Sequence, residues 1–138
     1  MPAANDTSPT LDDPARTERV GIRLAELLAG KGVTAVVCWD SSEDAVLAHV
    51  VARELGVGLR LADEVEGIIT LERPLPDDAA VALVGEELTA RTAVSGLAGV
   101  ARHSGARISA VATVRTPAIV EGTEAEGAPV ITAEGPAA

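Results

Sequence analysis

The sequence predicts an α/β domain, a doubly wound parallel sheet flanked by helices. Three observations predict it. Short apolar runs rich in β-branched residues recur at residues 33–38, 57–62, 68–71, 80–84 and 108–114. Longer segments with one apolar face, bounded by capping residues and glycines, separate several of them. Hydrophobic residues make up 47% of the 138, enough for the packed core that one domain of this length requires.

Residues 1–12 open on a small, polar, Pro-containing stretch that reads as a mobile arm. Asp13 then offers an N-cap and Pro14 a first-turn proline. Val20, Leu24, Leu27 and Leu28 fall on one face of the helix that follows, and Gly30 and Gly32 stop it. The run VTAVVC at 33–38 has the pattern of a strand covered on both faces. Ser41, Ser42, Glu43 and Asp44 supply a cap and early acids for a helix to Leu55, with Gly56 as its stop. Strands at 57–62 and 68–71, a turn at 74–78 and a buried strand at 80–84 come next. Thr92 caps a helix to about His103, Gly105 ends it, and 108–114 forms another core strand. From Pro117 the chain is rich in Gly, Pro and Glu, so 117–138 reads as a loosely held tail with a possible edge strand at 129–132. The domain proper is expected over 13–116.

Composition excludes several functions. The formal charge is −10, with 21 acids against 11 basic residues, and Lys31 is the only lysine. Such a field repels phosphate backbones, and the arginines are scattered rather than gathered into a basic face, so nucleic acid is not an expected partner. No apolar run is long enough to span a bilayer, so no membrane partner is expected either. A single cysteine, Cys38, makes no internal disulfide, and the first residues lack both a basic start and an apolar stretch. A cytoplasmic location is the expectation. There is no Phe or Tyr, and Trp39 is the only tryptophan.

The most informative segment is VALVGEELTARTAV, residues 81–94. An apolar run, two acids and Thr-Ala-Arg-Thr lead into a helical pattern. This resembles the phosphoribosyl-pyrophosphate loop of type I phosphoribosyltransferases, orotate phosphoribosyltransferase especially, in which four apolar residues precede Asp-Asp, two apolar residues and Thr-Ala-Gly-Thr. Residues 52–65 (ARELGVGLRLADEV) are similar to the helix and strand between the two ligand loops of that family, and the resemblance covers roughly 17–114. It implies a phosphoribosyltransferase-like sheet whose ligands sit beyond the carboxyl ends of the strands, where strand order reverses. Trp39 to Glu43 and Gly85 to Thr92 both follow strands and are expected to share that rim. Neither the hood nor the long flexible loop of orotate-type enzymes is evident, since only a short hairpin-like passage fits between Ala62 and Ala80.

The resemblance assigns Glu86, Thr89, Ala90, Arg91, Thr92 and Ala93 to a phosphate and ligand site, because amides at a helix start cradle a phosphate. It also marks departures from the pattern. Gly85 stands where the first ribose-holding acid belongs, Glu87 occupies an apolar position, and Arg91 replaces a glycine that lets the backbone approach phosphate. Arg91 either blocks the pocket or replaces the lost amide contacts with its guanidinium; a third reading is a capped turn with a solvated arginine. The pyrophosphate loop is degenerate: Trp39, Asp40, Ser41 and Ser42 take the place of a small, Gly-rich turn. Carboxylates at Asp40, Glu43 and Asp44 each disfavour a diphosphate by about 1 kcal/mol in water, rising to about 4 kcal/mol near a low-dielectric wall.

Trp39 has three open readings: a stacking surface for a ligand, an anchor for a subunit contact, or a plug in the empty pyrophosphate site. Cys38 reads as a buried hydrophobe, His49 and His103 as surface or boundary residues, and no zinc pattern is present. No catalytic residue, metal site or cofactor is assigned. The expected function is a catalytically silent phosphoribosyltransferase-like domain that senses a phosphate-containing small molecule or nucleotide, or assembles with a partner protein or as a homodimer. The alternative is an active phosphoribosyltransferase with Mg²⁺ and an unusual acceptor, which requires diphosphate and metal to bind among Asp40, Glu43 and Asp44.

Overall fold

The computed structural model of the chain describes residues 9–134. Helix α1 spans Pro14–Leu28, strand β1 Ala35–Trp39 and helix α2 Ser42–Leu55. Strands β2 (Gly58–Val65), β3 (Ile68–Leu71) and β4 (Ala80–Val84) follow, then helix α3 (Arg91–His103) and strands β5 (Arg107–Thr113) and β6 (Val130–Thr132). They form one six-stranded sheet in the order β3-β2-β1-β4-β5-β6. All neighbours pair in parallel except β2 and β3.

The uninterrupted apolar runs become central strands because both of their faces are covered. Val36, Cys38, Ala82 and Val84 point to one side and pack with Val20, Leu24 and Leu28 of α1 and Leu47, Ala48 and Val51 of α2. Their neighbours Ala35, Val37, Val81 and Leu83 point to the other, against Val94, Leu97, Ala98 and Ala101 of α3. With small aliphatic side chains throughout, helices approach closely. Gly21 of α1 sits so near α2 that a Cβ on it would lie 2.6 Å from Val50 Cβ.

Several local expectations differ from what forms. The doubly wound parallel sheet forms as expected but for one edge: β2 runs on to Val65 and pairs antiparallel with β3 in the register Val65↔Ile68. Only Glu66 and Gly67 connect them, at φ 51° and 81°, the paired left-handed conformation of a type I′ hairpin turn. A two-residue connection cannot make a parallel crossover, and it leaves no long loop between these strands. Thr92 is not the cap of α3. The helix starts one residue earlier, at Arg91, with Ala90 in the cap position and no side-chain cap bond. Asp13 and Ser41 stand at the cap positions of α1 and α2, likewise without side-chain cap bonds.

Of the arm expected over 1–12, residues 1–8 lie outside the described residues. Residues Thr10–Asp12 form a single 3-10 turn with Thr10 fully buried. Of the tail expected over 117–138, residues 135–138 also lie outside. The described part contributes Ala118 and Ala125 to the core on the α3 side, and β6 pairs with β5 from Val111↔Val130 to Thr113↔Thr132.

The Gly21–Val50 contact sets a test of the packing. Alanine at position 21 gains up to about 1 kcal/mol of helix propensity, but the overlap with Val50 forces α1 and α2 apart, an overpacking cost of about 1–3 kcal/mol. Gly21→Ala is therefore expected to lower the free energy of unfolding by about 1–2 kcal/mol in urea titrations. Unchanged or increased stability would show that the helices are not held at this separation.

Candidate functional site

Because β1 and β4 lie side by side and parallel, the loops that leave their carboxyl ends meet at one rim, at the point where the sheet order reverses. The first loop carries Trp39, Asp40, Ser41 and Ser42, and the second runs from Gly85 to Ala90 into α3. Their backbones are held by different partners. Asp40 donates its N–H to Ala62 O at 2.9 Å, and Gly85 donates to Ala112 O at 3.1 Å.

Two acids of the rim, Asp44 and Glu86, are hydrogen-bonded within the chain. Asp44, in the first turn of α2, accepts the backbone N–H of Glu86 at Oδ1, at 2.8 Å, and so ties the start of α2 to the second loop. The Glu86 carboxylate turns to the N-terminal segment. Its Oε1 accepts the backbone N–H of Thr10 at 2.7 Å and also the Thr10 hydroxyl. Burial pushes the Asp44 carboxyl up from its ordinary range, opposed by the Glu86 N–H and the Ser41 hydroxyl and assisted by the nearby charges of Glu86 and Glu43.

These residues border a cleft of about 350 Å³. Four acidic residues line it, Glu43, Asp44, Glu86 and Glu87, together with Arg16, Arg115, Pro9 and Val114. Glu134 of the described tail draws both arginines, lying 2.9 Å from Arg16 Nη2 and 3.5 Å from Arg115 Nη2. The cleft is thus acidic where α2 and the second loop meet, an environment for hydroxyl or cationic donors rather than for a bare phosphate.

The expected phosphate residues stand apart from this cleft. Thr89, Ala90 and Thr92 are exposed and Ala93 is half-buried, and none of the four borders it. The Arg91 backbone opens α3, and its side chain lies outside the described residues. Thr92 instead borders a shallow groove along α3 with Ser95, Gly96 and Gly99. Ala90 provides no side-chain cap for α3, and a helix start carries the positive end of the helix dipole. Glu86 therefore joins the acidic cleft, whereas residues 89–93 form a separate helix start a few residues along the same loop.

Trp39 is a packing residue. Its Nε1 donates to Ala93 O at 3.0 Å, and its ring lies against α3 so closely that a Cβ on Gly96 would come within 2.8 Å of Trp39 and of Ile69. The indole thus bridges the end of β1 to the first turn of α3. Gly85 also has a local reason. A side chain there would meet Leu88 at 3.0 Å, and Leu88 is buried in the core beneath the loop. Asp40, Ser41 and Ser42 are exposed and border neither cleft nor groove. Cys38 is buried, and burial pushes its thiol up to about 12, so it is no nucleophile.

Among the described residues no group of three His, Cys, Asp or Glu side chains is placed to hold a metal, and Asp44 and Glu86 direct oxygens to the chain's own donors. Sequence reasoning missed Thr10, Arg16, Arg115 and Glu134. Thr10 lies 76 positions from Glu86, and no local pattern links the two.

No family model matches the sequence, and no curated protein matches it. The structure does have close counterparts. It is similar to adenine phosphoribosyltransferase from Thermoanaerobacter pseudethanolicus, with a TM-score of 0.73 and 16% identity over 94% of this chain and 86% of that one. Orotate phosphoribosyltransferase from Aeropyrum pernix gives 0.71 and 17% identity over 91% of this chain and 74% of its own. Adenine phosphoribosyltransferase from Trypanosoma brucei, solved with AMP, pyrophosphate and ribose-5-phosphate, gives 0.73 and 14% identity over 91% and 66% respectively. The fold is that of the type I phosphoribosyltransferases.

The Asp44–Glu86 contact has a pH signature. Burial raises the Asp44 pKa in the folded chain, so the folded state holds this proton to a higher pH than the unfolded state does. Stability is then lost as pH rises from the ordinary carboxylate range through the raised value. Asp44→Asn keeps the Oδ1 acceptor for Glu86 N–H and removes the charge. Its melting temperature is expected to exceed that of the parent at neutral pH and to fall less between about pH 4 and 7. A lower melting temperature at neutral pH would show that the charge itself, rather than the acceptor, holds the loop.

Proposed function

We propose that this chain is a catalytically silent phosphoribosyltransferase-like domain that binds a phosphorylated ribose or nucleoside monophosphate weakly at the rim, as a sensor or as an assembly partner of another protein. The observation that carries the reading is the divided state of the second rim loop. Its far end opens α3 without a side-chain cap, suited to an anion, while at its near end the Glu86 carboxylate is taken up by Thr10 and the Glu86 N–H by Asp44. On this reading the helix start offers an anion site, while Asp44 and Glu86 are engaged by donors of the chain itself.

Further observations support silence. The connection between β2 and β3 is reduced to two residues, so no lid closes over the rim from there. The Trp39 indole fills space between the first loop and α3. Asp40 and Glu43 add negative charge where a diphosphate would have to approach. Arg91 is assigned as a partner of the bound phosphate.

Calorimetry with inorganic phosphate, ribose 5-phosphate and phosphoribosyl pyrophosphate, each with and without Mg²⁺, tests the reading. Binding in the range of about 1 mM is expected, with no dependence on Mg²⁺ and no release of pyrophosphate with common bases. Arg91→Gly is expected to weaken phosphate binding by about 1.5–3 kcal/mol through loss of a charge-assisted contact; tighter binding would make Arg91 a plug instead. Turnover on the order of 1 per second or faster would sink the silent reading in favour of an active transferase. Absence of anion binding in the parent and in Arg91→Gly would leave the loop a purely structural one.

A further inference from the structure

We propose that the Thr10–Asp12 turn is an internal competitor that occupies the hydroxyl-binding end of the rim, so that docking of this segment and binding of a ribose-bearing ligand at Glu86 exclude one another. The inference rests on the proposed ligand class. Three features of the contact carry it. Thr10 supplies two donors, a backbone N–H and a hydroxyl, to the single oxygen Oε1 of Glu86, the kind of paired donation that a sugar hydroxyl pair offers to a carboxylate. Thr10 is fully buried although it sits at the start of a one-turn helix. Pro9, next to it, is itself part of the wall of the cleft. Withdrawal of the segment would therefore free the Glu86 carboxylate and widen the cleft in one movement.

The rest of the rim stays in place when this happens. Glu86 keeps its position because its backbone, not its carboxylate, is fixed by Asp44. The turn has its own support, with Asp13 N–H bonded to Thr10 O at 2.9 Å and Asp12 N–H to Pro9 O at 3.1 Å, so it can leave as a unit at the start of α1. From Glu86 the loop reaches the start of α3 at Arg91, a span of about 18 Å at most. A ligand that used both would carry its hydroxyl pair at Glu86 and its phosphate at the start of α3. Competition of this kind lowers the apparent affinity by the fraction of molecules in which the segment is docked.

Two variants of the full chain separate the terms. Thr10→Val keeps the shape and loses the hydroxyl donor. Thr10→Pro loses both donors, and proline suits the first position of a helical turn. Calorimetric titrations with ribose 5-phosphate and with inorganic phosphate, on parent and variants, give the test. Thr10→Pro is expected to bind ribose 5-phosphate about ten- to hundredfold more tightly than the parent, the factor that removing a competing hydrogen bond to a charged group allows. Thr10→Val should fall between them, and phosphate, which has no sugar hydroxyls, should bind all three equally. Saturating ribose 5-phosphate should also speed amide exchange at Thr10 in the parent. Equal ribose 5-phosphate affinity in parent and Thr10→Pro would overturn the competition while leaving the anion site standing. Failure of both ligands to bind any of the three proteins would overturn the competition and the proposed function together, the latter through the phosphate arm.

Discussion

Parallel pairing of Ala35–Val37 with Val81–Leu83 places two strands, each buried on both faces, at the middle of the sheet. Everything distinctive about the rim depends on this pairing. It brings the ends of β1 and β4 together, and with them the start of α2 and the start of α3. Without it, Asp44 and Glu86, 42 positions apart, would have no reason to meet. The two helix layers then follow from period-2 alternation, since each strand presents one set of side chains to α1 and α2 and the other to α3.

A core without Phe or Tyr has to gain its apolar burial from many small contacts, which demands short distances between elements. Gly21 against Val50 and Gly96 against Trp39 are two places where the chain uses the absence of a Cβ to reach them. The same demand reshapes the second rim loop. Leu88 drops into the core beneath it, and Gly85 leaves the space that Leu88 needs. An acid at position 85 and a buried leucine at 88 compete for one volume, so the departure from the family pattern at Gly85 is coupled to the packing of the loop.

Electrostatics at the rim is governed by desolvation. A carboxylate taken out of water at the end of a sheet must be given donors, or it is protonated or disfavoured. Asp44 receives the Glu86 N–H, and Glu86 receives two donors from Thr10. Each satisfied acid is one fewer ligand for an incoming group. Under the proposed reading, the loss of catalytic machinery and the order of the N-terminal turn are two sides of one redistribution of hydrogen bonds, whereas the start of α3, left without a side-chain cap, keeps its capacity for an anion.

What the sequence determined by itself was local in origin. The apolar runs at 33–38 and 80–84, Gly56 at the end of α2, and Gly105 after α3 are signals carried by neighbouring residues, and each marks an element that forms. The resemblance of residues 81–94 to a phosphoribosyl-pyrophosphate loop pointed to the fold because that loop is also a strand, a turn and a helix start. Only the tertiary structure decided who answers whom. Thr10 meets Glu86, Trp39 meets Ala93, and Glu134 draws Arg16 and Arg115, across separations of 76, 54, 118 and 19 positions. Hydrogen-bond donors and acceptors carry no label of their partner along the chain. Which of them become paired is set by where the sheet brings them, so the chemistry of the rim was legible in type but not in assignment.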